Sequence, residues 1–297
     1  MTALRGRLQH NVSLDRLTSW RVGGLAERIY EPADVEDLSN FLISTEAVDP
    51  LLWLGLGSNV LIRDGGFRGS VIRLHRGLGN IVDLGNGRVR VDAGVPCARI
   101  AKWCGRQGLI GAEFMAGIPG TVGGALAMNA GAWGGETWPL VESVEVINRL
   151  GQRQERLPNE YTVSYREVAG HENEWFVAAT LRLVPGGDPA ALQAKVRTLL
   201  AERAERQPTG VASGGSVFRN PPGDYAARLI EAVGLKGAVR GSAHISEKHA
   251  NFIVNEGEAS AADIEALIAL AQQAVKARFD IELEPEVRII GEVGHVH

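Results

Sequence analysis

The chain has little of what several classes of protein depend on. Only two of its 297 residues are cysteines, Cys97 and Cys104, which is too few for a disulfide framework. No stretch approaches the roughly 18 consecutive apolar residues of a membrane-spanning helix. Residues 1–16 have no apolar run behind their arginines, so we expect no secretory signal. These absences predict a cytoplasmic protein with no membrane partner.

The charge balance and the histidine spacing exclude two further classes. There are 31 basic and 35 acidic residues, a net charge of −4, so the chain lacks the basic field that nucleic-acid binding needs. HISEKH (244–249) matches no zinc-binding spacing, and we predict a solvated loop there and no metal site. With 45% hydrophobic and 22% charged residues, the composition is that of a globular protein with a substantial core.

Hydrophobic spacing and turn residues predict a mixture of strands and helices. The predicted strands are 26–32, 51–63 with a break at 55–59, 70–74, 80–84, 88–94, 141–148, 175–184, 250–257 and 280–292 with an interruption at Pro285. The predicted helices are 33–42, 97–108, 189–206, 224–234 and one that begins at Ser260 with Asp263 in the capping-box position. GNG at 85–87 is the clearest hairpin signal. The order of elements favours an α+β protein, and PGGDP (185–189) favours the main domain boundary.

Glycine is the one residue type in clear excess, with 37 copies, and its position matters. GLGSN (55–59) lacks the third glycine and the following helix of a dinucleotide-binding fingerprint. It is instead a loop whose backbone amides can bind a diphosphate, with Ser58 and Asn59 as side-chain donors. An ordinary turn is the alternative.

A second cluster, at 117–135, contains seven glycines in GIPGTVGGALAMNAGAWGG. Glycine is entropically costly unless a turn or the close approach of a ligand requires it. Two such loops fit an extended cofactor with a flat ring and a diphosphate, and the absence of GK[ST] excludes a P-loop. A glycine-rich crossover that binds nothing is the alternative.

Three polar residues stand in apolar or glycine-rich surroundings: Arg166, Ser216 and Glu286. Phe218 occupies the position that a nucleophile elbow gives to glycine, so Ser216 fits a proton donor better than a nucleophile. Each of the three residues could instead have a purely structural role, as a helix cap, as a member of a surface ion pair or as a charge on an edge strand.

Together the segments resemble the UDP-N-acetylenolpyruvoylglucosamine reductases, the MurB family. The matching pieces, in family order, are TSWRVGG (18–24), LGLGSNVLIRDGG (54–66), GIPGTVGGALAMNAGAWGGE (117–136), YTVSYRE (161–167), GGSVFRNP (214–221), HISEKHANFIVN (244–255) and LEPEVRIIGE (283–292). The resemblance implies an FAD-binding fold of the vanillyl-alcohol-oxidase (PCMH) type and a C-terminal α/β substrate-binding domain. It divides the chain into FAD-binding subdomains at 1–70 and 71–187 and a substrate domain at 188–297, whose strand at about 281–292 returns to the active site.

The resemblance also implies the chemistry and its residues. The reaction is the NADPH-dependent, FAD-mediated reduction of UDP-N-acetylglucosamine enolpyruvate to UDP-N-acetylmuramate in peptidoglycan synthesis, with FAD held non-covalently. Arg166, Ser216 and Glu286 align with the family's catalytic residues, and Asn220 and Arg288 are the implied substrate contacts. The implied FAD contacts are Gly55, Gly57, Ser58, Asn59, Gly117, Pro119, Gly120, Thr121, Gly124, Asn129 and Gly131.

Several points stay open at the level of sequence. Arg219 stands where the family commonly has lysine, and the short segment 137–160 indicates the compact subtype that lacks a substrate-closing tyrosine. On an extended strand Glu286 and Arg288 would point to the same side, so an ion pair is the alternative to a neutral Glu286. Another FAD oxidoreductase of this fold and a non-catalytic nucleotide-sugar binding protein are the alternative functions. No obligate protein partner is indicated.

Overall fold

The computed structural model describes residues 3–45 and 48–294, which form two compact units. Within the described residues, the first unit comprises 3–9, 29–45, 48–56 and 69–203, and the second comprises 10–28, 57–68 and 204–294. Both units are therefore assembled from separate stretches of chain. The division differs from the predicted three domains, whose limits at 70 and 187 stay predictions.

The described residues form 19 strands and six α-helices. The strands are β1 Arg7–Ser13, β2 Leu25–Glu31, β3 Leu51–Leu54, β4 Val60–Ile62, β5 Phe67–Arg73, β6 Ile81–Gly85, β7 Arg88–Asp92, β8 Gly131–Ala132, β9 Gly135–Glu136, β10 Val141–Asn148, β11 Arg153–Arg156, β12 Thr162–Ser164, β13 Glu167–Ala169, β14 Glu174–Arg182, β15 Ala212–Ser213, β16 Val239–Arg240, β17 Ala243–Ile245, β18 Ile253–Asn255 and β19 Arg288–Ile290. The helices are α1 Val35–Ser44, α2 Cys97–Arg106, α3 Val122–Ala127, α4 Pro189–Arg206, α5 Ala226–Ala232 and α6 Ala261–Phe279.

The first unit is built around a five-stranded antiparallel sheet in the order β11-β10-β14-β7-β6. Alternate residues of β7, Val89 and Val91, are fully buried in the core against α2 and α3. Arg90, which lies between them, binds Glu145 of β10 on the other face. This alternation is the pattern that predicted the strand. The predicted hairpin at 85–87 is confirmed, since β6 and β7 pair on either side of Asn86.

Helix α2 begins after Pro96 and ends just before Gly108, as the sequence predicted. Its two cysteines, Cys97 and Cys104, are fully buried on the core side. Burial raises the pKa of both thiols to about 12, so they stay protonated at neutral pH and pack as small apolar side chains.

The second unit has a four-stranded sheet in the order β15-β18-β17-β16 and a parallel pair formed by β4 and β19. Helix α6 supplies much of its core through Ile264, Leu267 and Ile268. Of the long strand predicted at 280–292, only β19 forms a regular strand, and Pro285 makes a single bridge to Phe218. Proline has no N–H to donate, so the ladder is interrupted there.

The amino-terminal end of α6 is capped twice. The predicted capping box is confirmed: Ser260 Oγ accepts a hydrogen bond from the Asp263 N–H at 3.1 Å, and the Asp263 carboxylate accepts one from the Ser260 N–H at 2.9 Å. Asp64, from the loop after β4, accepts the next two N–H groups, of Ala261 at 2.8 Å and Ala262 at 3.0 Å. The loop is thereby attached to the helix.

The segment HISEKH is the predicted solvated loop only in its middle, where Glu247 and Lys248 are exposed. Residues 243–246 are partly or fully buried because β17 lies inside the sheet, and the His249 ring packs edge-on against Phe252. His249 Nδ1 accepts a hydrogen bond from the Asn251 N–H at 3.3 Å. Burial lowers the pKa of His249, so the folded protein holds this ring neutral.

Replacing Asp64 tests the second cap of α6. We expect Asp64→Ala to lower the free energy of unfolding by about 1–2 kcal/mol, because two helical N–H groups lose their acceptor. Asp64→Asn keeps one acceptor oxygen and is expected to lie between Asp64→Ala and the parent protein. Urea denaturation measures all three, and a free energy for Asp64→Ala equal to that of the parent would contradict the assignment.

The neutral His249 predicts a dependence of stability on pH. Its folded pKa lies below the unfolded value of about 6.5, so its contribution is complete above that pH and declines as the pH falls from there toward the folded pKa. His249→Asn keeps an acceptor for the Asn251 N–H but does not titrate. We therefore expect a smaller loss of unfolding free energy between about pH 7.5 and 5.5 in this variant. Equal losses in both proteins would refute the prediction.

Candidate active site

Arg166 occupies the two-residue turn of the hairpin formed by β12 and β13 in the first unit. Its φ is +59°, a left-handed conformation that non-glycine residues seldom adopt. The guanidinium donates to the carbonyl oxygens of Asn129 at 3.3 Å and Gly131 at 2.9 Å, and lies 5.0 Å from the centre of the Tyr165 ring. These contacts fix the plane of the guanidinium.

Asn129 organises the glycine-rich loop that holds Arg166. Its side chain is fully buried and donates to Glu136 Oε2 at 2.9 Å and to the Ser164 carbonyl at 3.2 Å. Its Oδ1 accepts from the Trp138 N–H at 3.1 Å. The carboxamide thus joins its own loop to strand β12, and the predicted FAD contact of Asn129 stays a prediction.

Ser216 and Glu286 lie on neighbouring segments of the second unit. The Glu286 N–H donates to the Val217 carbonyl at 2.8 Å, and the Arg219 N–H donates to the Glu284 carbonyl at 2.9 Å. Both Ser216 and Glu286 are half-buried. The structure therefore brings these two predicted residues onto one hydrogen-bonded pair of segments, while Arg166 belongs to the first unit.

The first glycine loop is attached to both of those segments. The Gly215 N–H donates to the Ser58 carbonyl at 3.2 Å. Asn59 Nδ2 donates to the Glu286 carbonyl at 3.1 Å, and the Asn59 carbonyl accepts from the Arg288 N–H at 3.1 Å. A motif that we predicted as cofactor-binding thus also holds the segments that carry Ser216 and Glu286.

Asn251 is a functional candidate that sequence reasoning missed. It is almost completely buried, its Oδ1 accepts from the Phe218 N–H at 2.9 Å, and its Nδ2 donates to the Phe218 carbonyl at 2.8 Å. The side chain therefore replaces a strand partner for the segment that follows Ser216. The sequence did contain a sign of this role: Asn251 is the one polar residue in the apolar stretch from Ala250 to Val254. A polar side chain that is buried with its apolar neighbours almost always has a hydrogen-bond partner.

The predicted substrate contacts have observed structural partners. Asn220 Oδ1 accepts from the Ala226 N–H at 3.1 Å, at the start of α5. Arg219 Nη1 forms an ion pair with Glu284 Oε1 at 3.0 Å. Arg288 is exposed and begins β19. The predicted roles of Asn220 and Arg288 toward a substrate stay predictions; Arg219 was not among the predicted contacts.

Five of the six predicted cofactor glycines fall into two groups. A Cβ at Gly55, Gly57, Gly117 or Gly131 would lie 2.1–2.4 Å from a protein atom, so internal packing already requires glycine at these positions. Gly124 is different: it is an exposed residue inside α3, and a Cβ there would meet nothing closer than Thr121 Oγ1 at 4.0 Å. Glycine within a helix is about 0.5–1 kcal/mol less favourable than alanine, so an open glycine fits the close approach of a ligand. This part of the loop fits an extended cofactor.

Two backbone amides of the second glycine cluster have partners within the protein. The Val122 N–H donates to the Val95 carbonyl at 2.9 Å, and the Gly123 N–H donates to the Ala93 carbonyl at 2.8 Å. The start of α3 is thus bonded to the chain between β7 and α2.

Within 3–45 and 48–294, no three His, Cys, Asp or Glu residues are placed to hold a metal, and no helix is long and apolar enough to cross a membrane.

Comparison with known proteins assigns families to both parts of the chain. Residues 26–155 match the FAD binding domain family, and residues 207–290 match the C-terminal domain of UDP-N-acetylenolpyruvoylglucosamine reductase. A reductase of that name from Alkalilimnicola ehrlichii is 55% identical over 287 residues, covering 97% of this chain and 96% of the relative. One from Methylococcus capsulatus is 56% identical over 288 residues, covering 97% and 94%.

A solved structure agrees with these matches. The crystal structure of UDP-N-acetylenolpyruvylglucosamine reductase (MurB) from Thermus caldophilus has a TM-score of 0.83 and 33% identity, and the match covers 96% of this chain and 99% of that one. The predicted α+β fold, with an FAD-binding domain and a C-terminal family domain, is confirmed. Taken with the joined Ser216 and Glu286 segments and the two glycine loops, these matches show that the chain belongs to the UDP-N-acetylenolpyruvoylglucosamine reductase family of FAD-dependent oxidoreductases.

Proposed function

We propose that the protein reduces the enolpyruvyl ether of UDP-N-acetylglucosamine to UDP-N-acetylmuramate, with NADPH as the electron donor, in peptidoglycan precursor synthesis. The observation that carries the proposal is the hydrogen-bonded pairing of the Ser216 and Glu286 segments, both joined to the first glycine loop. A binding protein would need the glycine loops but not the Ser216 and Glu286 side chains.

The reaction adds a hydride and a proton across a carbon–carbon double bond. When bound, FAD would carry the electron pair of NADPH to the substrate as a hydride. Hydride arrival at the β carbon places negative charge on the α carbon and on the attached carboxylate. The protein must therefore supply positive charge or hydrogen-bond donors at the carboxylate and one proton at the α carbon.

Arg166 is the proposed source of positive charge. A guanidinium binds a carboxylate through two parallel hydrogen bonds and does not lose its proton when it is partly buried. The carbonyl contacts with Asn129 and Gly131 orient the guanidinium before the substrate arrives. Such preorganisation favours the charge that develops during the reaction over the charge of the bound substrate.

Ser216 is the proposed proton donor to the α carbon. A hydroxyl is a weak acid, but a carbon that has just gained an electron pair is a strong base, so position matters more than acidity. Asn251 on one side and the Glu284–Glu286 segment on the other hold the peptides that follow Ser216. A neutral Glu286 on the adjoining segment would donate a hydrogen bond to the developing negative charge.

We propose FAD contacts in each of the two glycine loops. Gly124 provides an open approach in the second loop, and Ser58 lies in the first. We also propose a cytoplasmic location, because UDP-sugars and NADPH are soluble metabolites of that compartment.

An anaerobic absorption spectrum of the purified protein tests this function. We expect the yellow absorbance of bound FAD to disappear on addition of NADPH and to return on addition of the UDP-linked enolpyruvyl sugar. Loss of colour without its return would retain a flavin oxidoreductase but remove this substrate. A colourless protein that takes up no FAD would remove the proposal.

The role of Ser216 predicts a selective effect. We expect Ser216→Ala to lose its colour with NADPH at the parent rate, because the hydroxyl is not needed for that step. We expect the substrate-dependent return of colour to slow by at least about 10²-fold, the usual contribution of a positioned acid. Stopped-flow absorbance separates the two steps. Equal slowing of both would show that Ser216 is not the proton donor, and Ser213→Ala, three residues earlier, serves as the control.

A further inference from the structure

We propose that Asn59 is a positioning residue that holds the main chain of Glu286, so that its carboxamide serves the reduction of the substrate rather than the binding of FAD. The inference rests on the proposed function, because it takes from that function the role of Glu286 in the reaction. It also revises our expectation that the Asn59 side chain contacts the cofactor.

Both main-chain polar groups of Glu286 have partners. Its N–H donates to the Val217 carbonyl at 2.8 Å, and its carbonyl accepts from Asn59 Nδ2 at 3.1 Å. The first partner comes from the segment that carries Ser216, and the second comes from the first glycine loop. The main chain of Glu286 is therefore held between Val217, the residue after the proposed proton donor, and Asn59 of the proposed cofactor loop.

A second bond prevents Asn59 from moving independently of this segment. The Asn59 carbonyl accepts from the Arg288 N–H at 3.1 Å, which continues into the parallel pairing of Val60 with Arg288 and Leu61 with Ile289. The Asn59 side chain extends that ladder by two residues, back to Glu286. Without the side chain, the regular pairing ends at Arg288, and the Glu286 carbonyl loses its partner in the loop.

The interruption at Pro285 explains why a side chain is needed. Proline cannot donate an N–H, and it bridges to Phe218 instead of continuing β19. The Glu286 peptide thus lies between Pro285, where the strand is interrupted, and Arg288, where the pairing with β4 begins. An amide side chain can reach across such a gap, because it presents an N–H donor like that of a strand partner.

Position at this scale has a large effect on the rate of a reaction. A reacting group displaced by about 1 Å can lose about 10²-fold in rate while the ligand still binds. A positioning role therefore predicts a change in the rate of the substrate step with little change in FAD affinity. A cofactor-binding role predicts the reverse, because a lost contact with FAD raises its dissociation constant directly.

The test compares Asn59→Ala and Asn59→Asp with a matched control, Gln272→Glu. Gln272 Nε2 donates to the Leu283 carbonyl at 2.9 Å, so the control removes the same kind of amide-to-carbonyl bond three residues before Glu286. The measurements are the FAD dissociation constant by flavin fluorescence, the rate of colour loss with NADPH, and the rate of colour return at saturating enolpyruvyl sugar.

We expect the return of colour to slow at least about tenfold in Asn59→Ala, the effect of one lost hydrogen bond, and more in Asn59→Asp, where a carboxylate faces the Glu286 carbonyl. The FAD dissociation constant and the rate of colour loss stay within about twofold of the parent values, and Gln272→Glu keeps the parent rate of return. Weaker FAD binding in proportion to the loss of rate would overturn the proposal, and so would equal slowing in Gln272→Glu.

The parent protein separates the two proposals. If its colour does not return with the enolpyruvyl sugar, the proposed function fails. If its colour returns and both Asn59 variants behave like the parent, the function stands and the positioning role is refuted.

Discussion

The segment that follows Ser216 is bonded along both of its edges, and the arrangement of the second unit depends on this. On one edge the side chain of Asn251 satisfies both polar groups of Phe218, and the Val217 N–H donates to the Asn251 carbonyl. On the other edge the Val217 carbonyl accepts from the Glu286 N–H. Because an unsatisfied buried peptide is costly, each edge constrains the other, and Ser216 and Glu286 have little freedom to separate.

The sequence predicted correctly those helices whose ends are set by residues close to them in the chain. Helix α2 follows Pro96, and α6 has the capping box of Ser260 and Asp263, because both signals act within one turn of the chain. The strand predicted at 250–257 shortens to Ile253–Asn255 for a non-local reason. The Asn251 side chain is hydrogen-bonded to Phe218, 33 positions away, and the residues around Asn251 in the sequence give no indication of that partner.

The candidate site was predictable in its residues but not in its connections. The motifs and the family resemblance identified Ser216, Glu286 and the GLGSN loop. The bond from Asn59 to Glu286 joins residues 227 positions apart, and a single sequence does not record such a pair. The excess of glycine also has two different causes. Gly117 is required because a side chain there would collide with the ring of Trp133, whereas Gly124 faces open space. Composition alone cannot separate these two causes.

The segment 57–68 has a consequence for the order in which the chain acquires its structure. Its strand β4 has the final strand, β19, as its parallel partner. During synthesis from the amino terminus, β4 therefore emerges long before that partner exists, and it must wait unpaired while nearly all of the remaining chain is made. Pairings between distant residues form slowly because a large loop must close first. A chain without residues 288–290 would leave β4 without this partner, so their loss would expose the segment 57–68 to aggregation.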